Sequence, residues 1–572
     1  MKKAVAVGEV LRDPPPDGEP LGGAAANLAR HRRAPRLDAR LTTRIGDDEL
    51  DREVLARFQA PGPPTDFVRV DPEAPAGAVG AKDADTDPRI STEVRLDASI
   101  DRSPAVDPAE AGARSLSGPL LFSTFVASLG GLLFGFDVAI LSGTVDALKH
   151  VFALNETTLG FTVASAPLGT VAGALAAGKP ADAWGRKPLL AVLAIGYLAS
   201  ALGCALAWSW GSFLVFRILG GVGVGAASVI APLYIAEIAP ARYRGFLVAT
   251  VQFNIVLGVQ LAFMSNYVIA GLGLGANDWR WMLGVQAAPS AVFFLLAFMI
   301  PESPRWLVAA GRPEEARAVL VKIGADEAVD AEIADIQESL RAVDASGEGE
   351  ALFQRAYLRP IMLAVAIAAF NQLSGINAVM YYAPEVFKMA GSDQSAALLS
   401  AVAIGAVNLV FTMLAMTVID RFGRRFLMLV GSIGYIASLA TIAWAFYTYG
   451  TNFTGVGGWI VMGGLMVFIM SHAVGQGAVI WVYISEVFPN RVRAKGQALG
   501  CATHWVGALA ITQTFPMIAK SSGGHAFAFY AVMMVFQLLW VLFVMPETKG
   551  VPLEQLQKQL GVTPGAVEGV AS

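Results

Sequence analysis

From Leu120 onward the chain is a succession of apolar stretches, and this repetition limits its fold more than any motif does. A bilayer core of roughly 30 Å takes about 20 helical residues to cross. Inside it, backbone N–H and C=O groups must be satisfied within the segment, so such stretches become helices. Twelve are placed at 120–143, 158–178, 188–207, 211–234, 247–271, 281–300, 358–387, 395–418, 427–448, 457–483, 497–518 and 525–545. Charge is distributed accordingly: residues 1–115 hold 17 basic and 21 acidic side chains, leaving 25 of each for the 457 residues that follow. That is far below the roughly 25% charge of a soluble domain. A net charge of −4 argues against nucleic acid as a partner. The two cysteines, Cys204 and Cys501, give neither a disulfide framework nor a metal spacing.

Positive charge marks one set of loops: Lys179, Arg186 and Lys187 after the second segment, Arg242 and Arg244 after the fourth, Arg421, Arg424 and Arg425 after the eighth, Arg491, Arg493 and Lys495 after the tenth. The positive-inside rule puts these loops and both termini in the cytoplasm. The same loops reveal an internal repeat. Asp182-Ala-Trp-Gly185-Arg186-Lys187 returns as Asp420-Arg-Phe-Gly423-Arg424-Arg425, and Tyr234-Ile-Ala-Glu237-Ile-Ala-Pro240 returns as Tyr483-Ile-Ser-Glu486-Val-Phe-Pro489. Pro301-Glu302-Ser303 returns as Pro546-Glu547-Thr548, so the offsets are 238, 249 and 245. Two six-helix halves with the same topology follow, and such parallel halves place a substrate site at their interface near the midplane. The expected divisions are 1–115, 116–300, a stretch of amphipathic helices over 301–357, 358–548 and a tail over 549–572. In the central stretch Ile333, Ile336, Leu340 and Val343 recur at helical spacing, as in a helix lying on the membrane face.

Five motifs in order make the chain resemble the sugar porter branch of the major facilitator superfamily over about 120–560. They are Gly130-Gly-Leu-Leu-Phe-Gly-Phe-Asp137, Arg217-Ile-Leu-Gly-Gly, Pro301-Glu-Ser-Pro-Arg-Trp-Leu307, Gln372-Leu-Ser-Gly-Ile-Asn377 with Tyr381-Tyr382, and Pro546-Glu-Thr-Lys-Gly550. The resemblance is greatest to bacterial proton-coupled pentose and hexose symporters. The fold it implies is an all-α membrane protein, twelve transmembrane helices in two parallel six-helix halves, with a small amino-terminal extension that is α/β-like or disordered.

A carboxylate inside an apolar helix is costly and marks function by default. Asp137 is such a group, and Arg217 is the cation expected beside it. In the resembled symporters a matching aspartate takes the coupling proton; the other reading is a static pair that fixes helix packing. Sugar hydroxyls are matched by amides, which both donate and accept, and C–H faces by aromatic rings. The resemblance implies a binding set of Phe134, Gln252, Asn371, Gln372, Asn377, Tyr381, Asn408, Gly477, Trp481, His504 and Trp505. Asn371 and His504 stand where the resembled xylose symporter has glutamines, which leaves the sugar open. Asp182, Arg186, Glu237 and Arg244, with Asp420, Arg424, Glu486 and Arg493, are expected to form ion-pair networks that gate the cytoplasmic side.

Residues 1–115 read differently. Ala4-Val-Ala-Val-Gly-Glu9, Leu21-Gly-Gly-Ala-Ala-Ala-Asn27 and Arg44-Ile-Gly-Asp47 resemble the opening of a ribokinase-type sugar kinase, most like fructokinases. The glycine-rich anion hole ending in a catalytic aspartate has no counterpart, so a non-catalytic remnant is expected. The whole is read as a proton-coupled monosaccharide symporter, not an enzyme, monomeric in the lipid bilayer of the cell membrane, with no cofactor beyond the proton. A facilitative uniporter and a membrane sugar sensor are the alternatives.

Overall fold

Helices stand at each of the twelve apolar segments. The computed structural model describes residues 116–562 apart from 325–328, 346–350, 451, 454, 490 and 552, together with four short strands before residue 71. By internal contacts the chain divides into units 1–105 and 106–572. In the first, β1 (Lys2–Val7) pairs in parallel with β2 (Leu37–Thr42), and β3 (Arg44–Ile45) with β4 (Arg69–Val70). The glycine-rich turn and Asn27 of the kinase-like motifs lie outside the described residues.

The second unit contains α1 (Gly118–Ile140), α2 (Glu156–Ala176), α3 (Arg186–Ala205), α4 (Trp210–Ile238), α5 (Arg244–Gly271) and α6 (Gly275–Ala297) in its first half. The second half contains α7 (Arg355–Met389), α8 (Gln394–Phe422), α9 (Arg424–Tyr449), α10 (Gly455–Val487), α11 (Arg493–Ala519) and α12 (Gly523–Phe543). Eleven of these are long and apolar enough to cross a membrane among the described residues. The twelfth, α11, is 27 residues long, ample for a span, but carries His504, Gln497, Gln513 and several threonines.

Local chemistry sets the ends. Ser117 accepts from the Leu120 N–H at the start of α1, Asn155 from Thr158 before α2, and Asp393 from Ala396 before α8, each an N-cap that satisfies a free donor. Ser209 and Ser212 cap α4 reciprocally. Two helix interruptions lie beside the candidate site. Gly375, at φ +84°, divides α7, and a side chain there would meet the Tyr530 ring at 2.4 Å. A π-turn over Ala473–Gly477 divides α10, the kind of irregularity that recurs at functional sites.

At the end bearing the basic loops, termed the basic end, the repeat becomes a pair of matching locks. Gly185 and Gly423, both with φ above +90°, begin α3 and α9. Glu302 accepts the Arg186 and Lys187 backbone N–H groups at 2.9 and 3.2 Å, and Glu547 those of Arg424 and Arg425 at 2.9 and 3.0 Å. A carboxylate at a helix N-terminus complements its dipole. Burial pushes the Glu302 carboxyl up, and the N–H groups of Ser303, Arg186 and Lys187 oppose that shift.

Packing differs between the ends. At the end opposite the basic loops one apolar core draws on both halves, joining Phe136, Ile140 and Phe263 to Tyr382, Phe387 and Phe446. At the basic end the cores are separate: Val126, Ile230 and Phe293 in the first half, Ile367, Met428 and Ile480 in the second. The helices Pro313–Lys322 and Val329–Ala345 of the central stretch add Leu320, Ile323 and Ile333 to the first of these cores, so they dock beneath the first half. The outer helix faces expose apolar side chains such as Leu175, Val215, Leu295 and Ile433, a surface matched to lipid and not to water.

Candidate functional site

Asp137 lies near the end of α1 and Arg217 two turns into α4; the fold brings them together with Nη1 of the arginine donating to Oδ1 of the aspartate at 2.9 Å. Both side chains are at most 2% exposed. Nε and Nη2 of Arg217 are buried without a partner among the described residues, so the pair leaves two strong donors unsatisfied there. Tyr381 is 2% exposed.

The amides gather where α7 breaks. Gln372 Nε2 donates to Asn371 Oδ1 at 3.0 Å and meets the His504 ring nitrogens at 3.1 and 3.2 Å, while Gln372 Oε1 accepts from Asn377 Nδ2 at 2.6 Å. A side chain at Gly507 would lie 2.9 Å from Gln372 Cβ, so the glycine is what lets α11 approach α7. Rings form a continuous row across this cluster: Trp481 to His504 at 5.0 Å, His504 to Trp505 at 5.0 Å, and Trp505 to Phe134 of the first half at 5.6 Å. Trp481 is 40% exposed, so its indole is available to a ligand. Gln252 is half-buried on α5, and Asn408 on α8 is buried with Oδ1 accepting from Thr412 at 3.4 Å.

The basic-end charges assemble in part. Arg186 Nε and Nη2 donate to Glu237 at 3.0 Å each, with Asp182 at 3.4 Å; Arg424 Nε and Nη2 donate to Glu486 at 3.2 and 2.8 Å. These pairs close within their own halves. Arg244 is exposed at the start of α5, and Arg493 Nε donates to the Phe488 carbonyl at 3.4 Å. The Asp420 side chain lies outside the described residues. Two ion pairs join the halves at the opposite end, Lys388 with Asp146 at 3.1 Å and Lys520 with Glu156 at 3.0 Å, and they escaped the sequence reading. A cleft of about 400 Å³ beside Trp184 and Trp306 is also at the basic end, away from the amides.

A second polar array also escaped that reading. Ser432 Oγ donates to the Met428 carbonyl at 2.7 Å, Gln537 Nε2 to Ser432 Oγ at 2.8 Å, Gln476 Nε2 to Gln537 Oε1, and the Tyr435 hydroxyl to Gln476 Oε1 at 3.1 Å. His472 Nδ1 meets the same hydroxyl at 2.5 Å. The available signal was the presence of a histidine and two glutamines inside apolar segments.

The pattern of the family described as "Sugar (and other) transporter" matches residues 123–560. The D-xylose-proton symporter of Escherichia coli is 36% identical over 471 residues, covering 76% of this chain and 94% of that protein. The glucose transport protein of Synechocystis sp. is 35% identical over 453 residues, covering 76% and 97%. Among solved structures, the inward open conformation of the E. coli xylose transporter aligns with a TM-score of 0.68 at 34% identity, covering 77% of this chain and 99% of that one.

Proposed function

The chain belongs to the sugar transporter family, and from that premise we propose that it moves a monosaccharide of the pentose or hexose class together with a proton, by alternating access. As a member of that family it is a membrane transporter and not an enzyme. We place it as a monomer in the cell membrane with the basic end cytoplasmic, as the loop charges require. The halves, joined at the opposite end and separate at the basic end, then correspond to a state open to the cytoplasm.

The observation that carries the reading is the incompletely satisfied Asp137–Arg217 pair. A buried pair kept only for packing is expected to fill its donors, since unpaired buried groups are costly. A pair that must separate when Asp137 takes up a proton cannot be locked by further bonds. Protonation removes the charge that holds Arg217 and frees α1 and α4 to move relative to each other. Sugar binding falls to the second half with help from Gln252. Without sugar, Gln372, Asn371, Asn377 and His504 satisfy one another; hydroxyls exchange for those bonds, and Trp481, Trp505 and Phe134 cover the C–H faces. Asn408, Gly477 and Tyr381 complete the set. Arg186 with Glu237 and Arg424 with Glu486 stay paired within the halves, and Asp182, Arg244, Asp420 and Arg493 complete the networks across them when the cytoplasmic side closes. The kinase-like strands have no part in this reading.

The experiment is labelled monosaccharide uptake into proteoliposomes with and without an inward proton gradient, comparing wild type with Asp137→Asn. Symport requires gradient-driven accumulation that the substitution lowers by roughly 100-fold, equivalent to about 2.7 kcal/mol, with counterflow exchange intact. Equilibration without accumulation, unchanged in the variant, identifies a facilitator.

A further inference from the structure

The hydrogen-bond chain running from Met428 to His472 can be followed donor by donor. Its far end is a helix carbonyl, which only accepts, so the Ser432 hydroxyl proton is committed to Met428. Ser432 Oγ must then accept, which orients the Gln537 amide with nitrogen toward it and oxygen toward Gln476. Gln476 in turn donates to Gln537 and presents its carbonyl to Tyr435, whose single hydroxyl proton goes there. The Tyr435 oxygen, which the Ser374 hydroxyl also approaches, is left to accept, and His472 Nδ1 meets it at 2.5 Å. His472 is therefore held with its proton on Nδ1, and a neutral imidazole so held has a lone pair on Nε2.

That lone pair has a place to act. Nε2 has no hydrogen-bond partner among the described residues. Directly beside it is Gly477, five residues on across the π-turn, where an added Cβ would lie 3.2 Å from Cδ2 and 3.3 Å from Nε2 of the ring. Any other residue at 477 would cover the nitrogen, and glycine leaves it open. Gly477 is one turn before Trp481, whose indole packs on His504 next to Gln372, so the open nitrogen borders the proposed sugar site. The other ionisable groups facing the ring are His504 on α11 and Tyr435 on α9.

We propose that His472 is a further sugar-binding residue, its Nε2 accepting a hydrogen bond from one hydroxyl of the monosaccharide, with Tyr435 as the positioning residue that sets the tautomer. The proposal rests on the transport reading above. It adds to the amides an acceptor that cannot donate while neutral, and so a group that tests for a hydroxyl hydrogen at one ring position.

The test is equilibrium counterflow of D-xylose, D-glucose and D-fructose, with their mono-deoxy analogues as competitors, in the Asp137→Asn background so that coupling does not contribute. His472→Phe keeps the ring and leaves the Tyr435-to-Gln476 bond in place, and retention of the thermal unfolding midpoint in detergent identifies it as folded. The expected result is a loss of affinity of about tenfold for the carried sugar. One deoxy analogue should be weak against the Asp137→Asn protein yet lose nothing further in His472→Phe. Tyr435→Phe should lose part of the same discrimination, and Gly477→Ala should reproduce the His472→Phe pattern. If every deoxy analogue loses the same factor with either residue at 472, the assignment of His472 is overturned while the transport reading stands. If the unsubstituted protein exchanges none of the three sugars, both fall.

Discussion

The two halves agree at the basic end and diverge at the midplane. Gly185 and Gly423, Glu302 and Glu547, Arg186 with Glu237 and Arg424 with Glu486 repeat almost bond for bond. Ten or more ångströms deeper, by the rise of about 1.5 Å per helical residue, the first half holds a charged pair and the second holds neutral amides, two histidines and indoles. The likeness is in the parts that hold a half rigid, which both halves need to rock as bodies. On the proposed reading the proton falls to one half and most of the sugar contacts to the other, and coupling then has to pass through the interface, where Trp505 meets Phe134. Even the repeat is imperfect: the Tyr234 hydroxyl donates to Pro301 at 2.8 Å, whereas its counterpart on Tyr483 is buried without a partner among the described residues.

The comparison can be broken most strongly at the charged pair. Arg217→Met leaves Asp137 buried and uncompensated, and a loss of about 3–5 kcal/mol is expected, measured as a fall in unfolding midpoint in detergent. Asp137→Asn combined with Arg217→Met should recover most of it, since no lone charge then remains. A midpoint unchanged in the single variant would mean that water reaches the pair. The likeness of the halves is sharpened by Gly185→Ala and Gly423→Ala. Each forces a side chain into positive φ and onto the carboxylate of Glu302 or Glu547, at 2.2 and 2.6 Å respectively. About 1–2 kcal/mol each is expected, and equal losses would show the two locks to be equivalent in energy as well as in shape. The smallest effect belongs to Asp182→Ala, which removes a 3.4 Å contact from a side chain 78% exposed. Less than about 1 kcal/mol of stability is expected, because water screens the pair; a larger loss in the same unfolding measurement would show that Asp182 has partners beyond Arg186.

Much of the site was legible because the membrane makes polarity conspicuous. Asp137 and Arg217 stood out as isolated charges in apolar segments, and the structure joins them across 80 residues of chain. Gln372 and Asn377 were found through a motif and do share a bond. Arg244 and Arg493 were named from a motif that records which residues occur together, and whether they pair depends on the state of the two halves, which one dimension does not contain. His472, Gln476 and Gln537 carry the same signal as Gln372, a polar residue among apolar ones, but nothing in one dimension orders them into a chain.

The number of helices, their approximate limits, the duplicated architecture and the sign of the loops were determined by sequence alone, because hydrocarbon solvent forces every span into a helix of about 20 residues and loop charge is counted locally. The state of the transporter and the proton direction in its polar chain were decided only in three dimensions. Which end of the two halves shares a core depends on contacts between residues more than 200 positions apart, such as Lys388 with Asp146. The lone pair on His472 depends on a carbonyl five hydrogen bonds away.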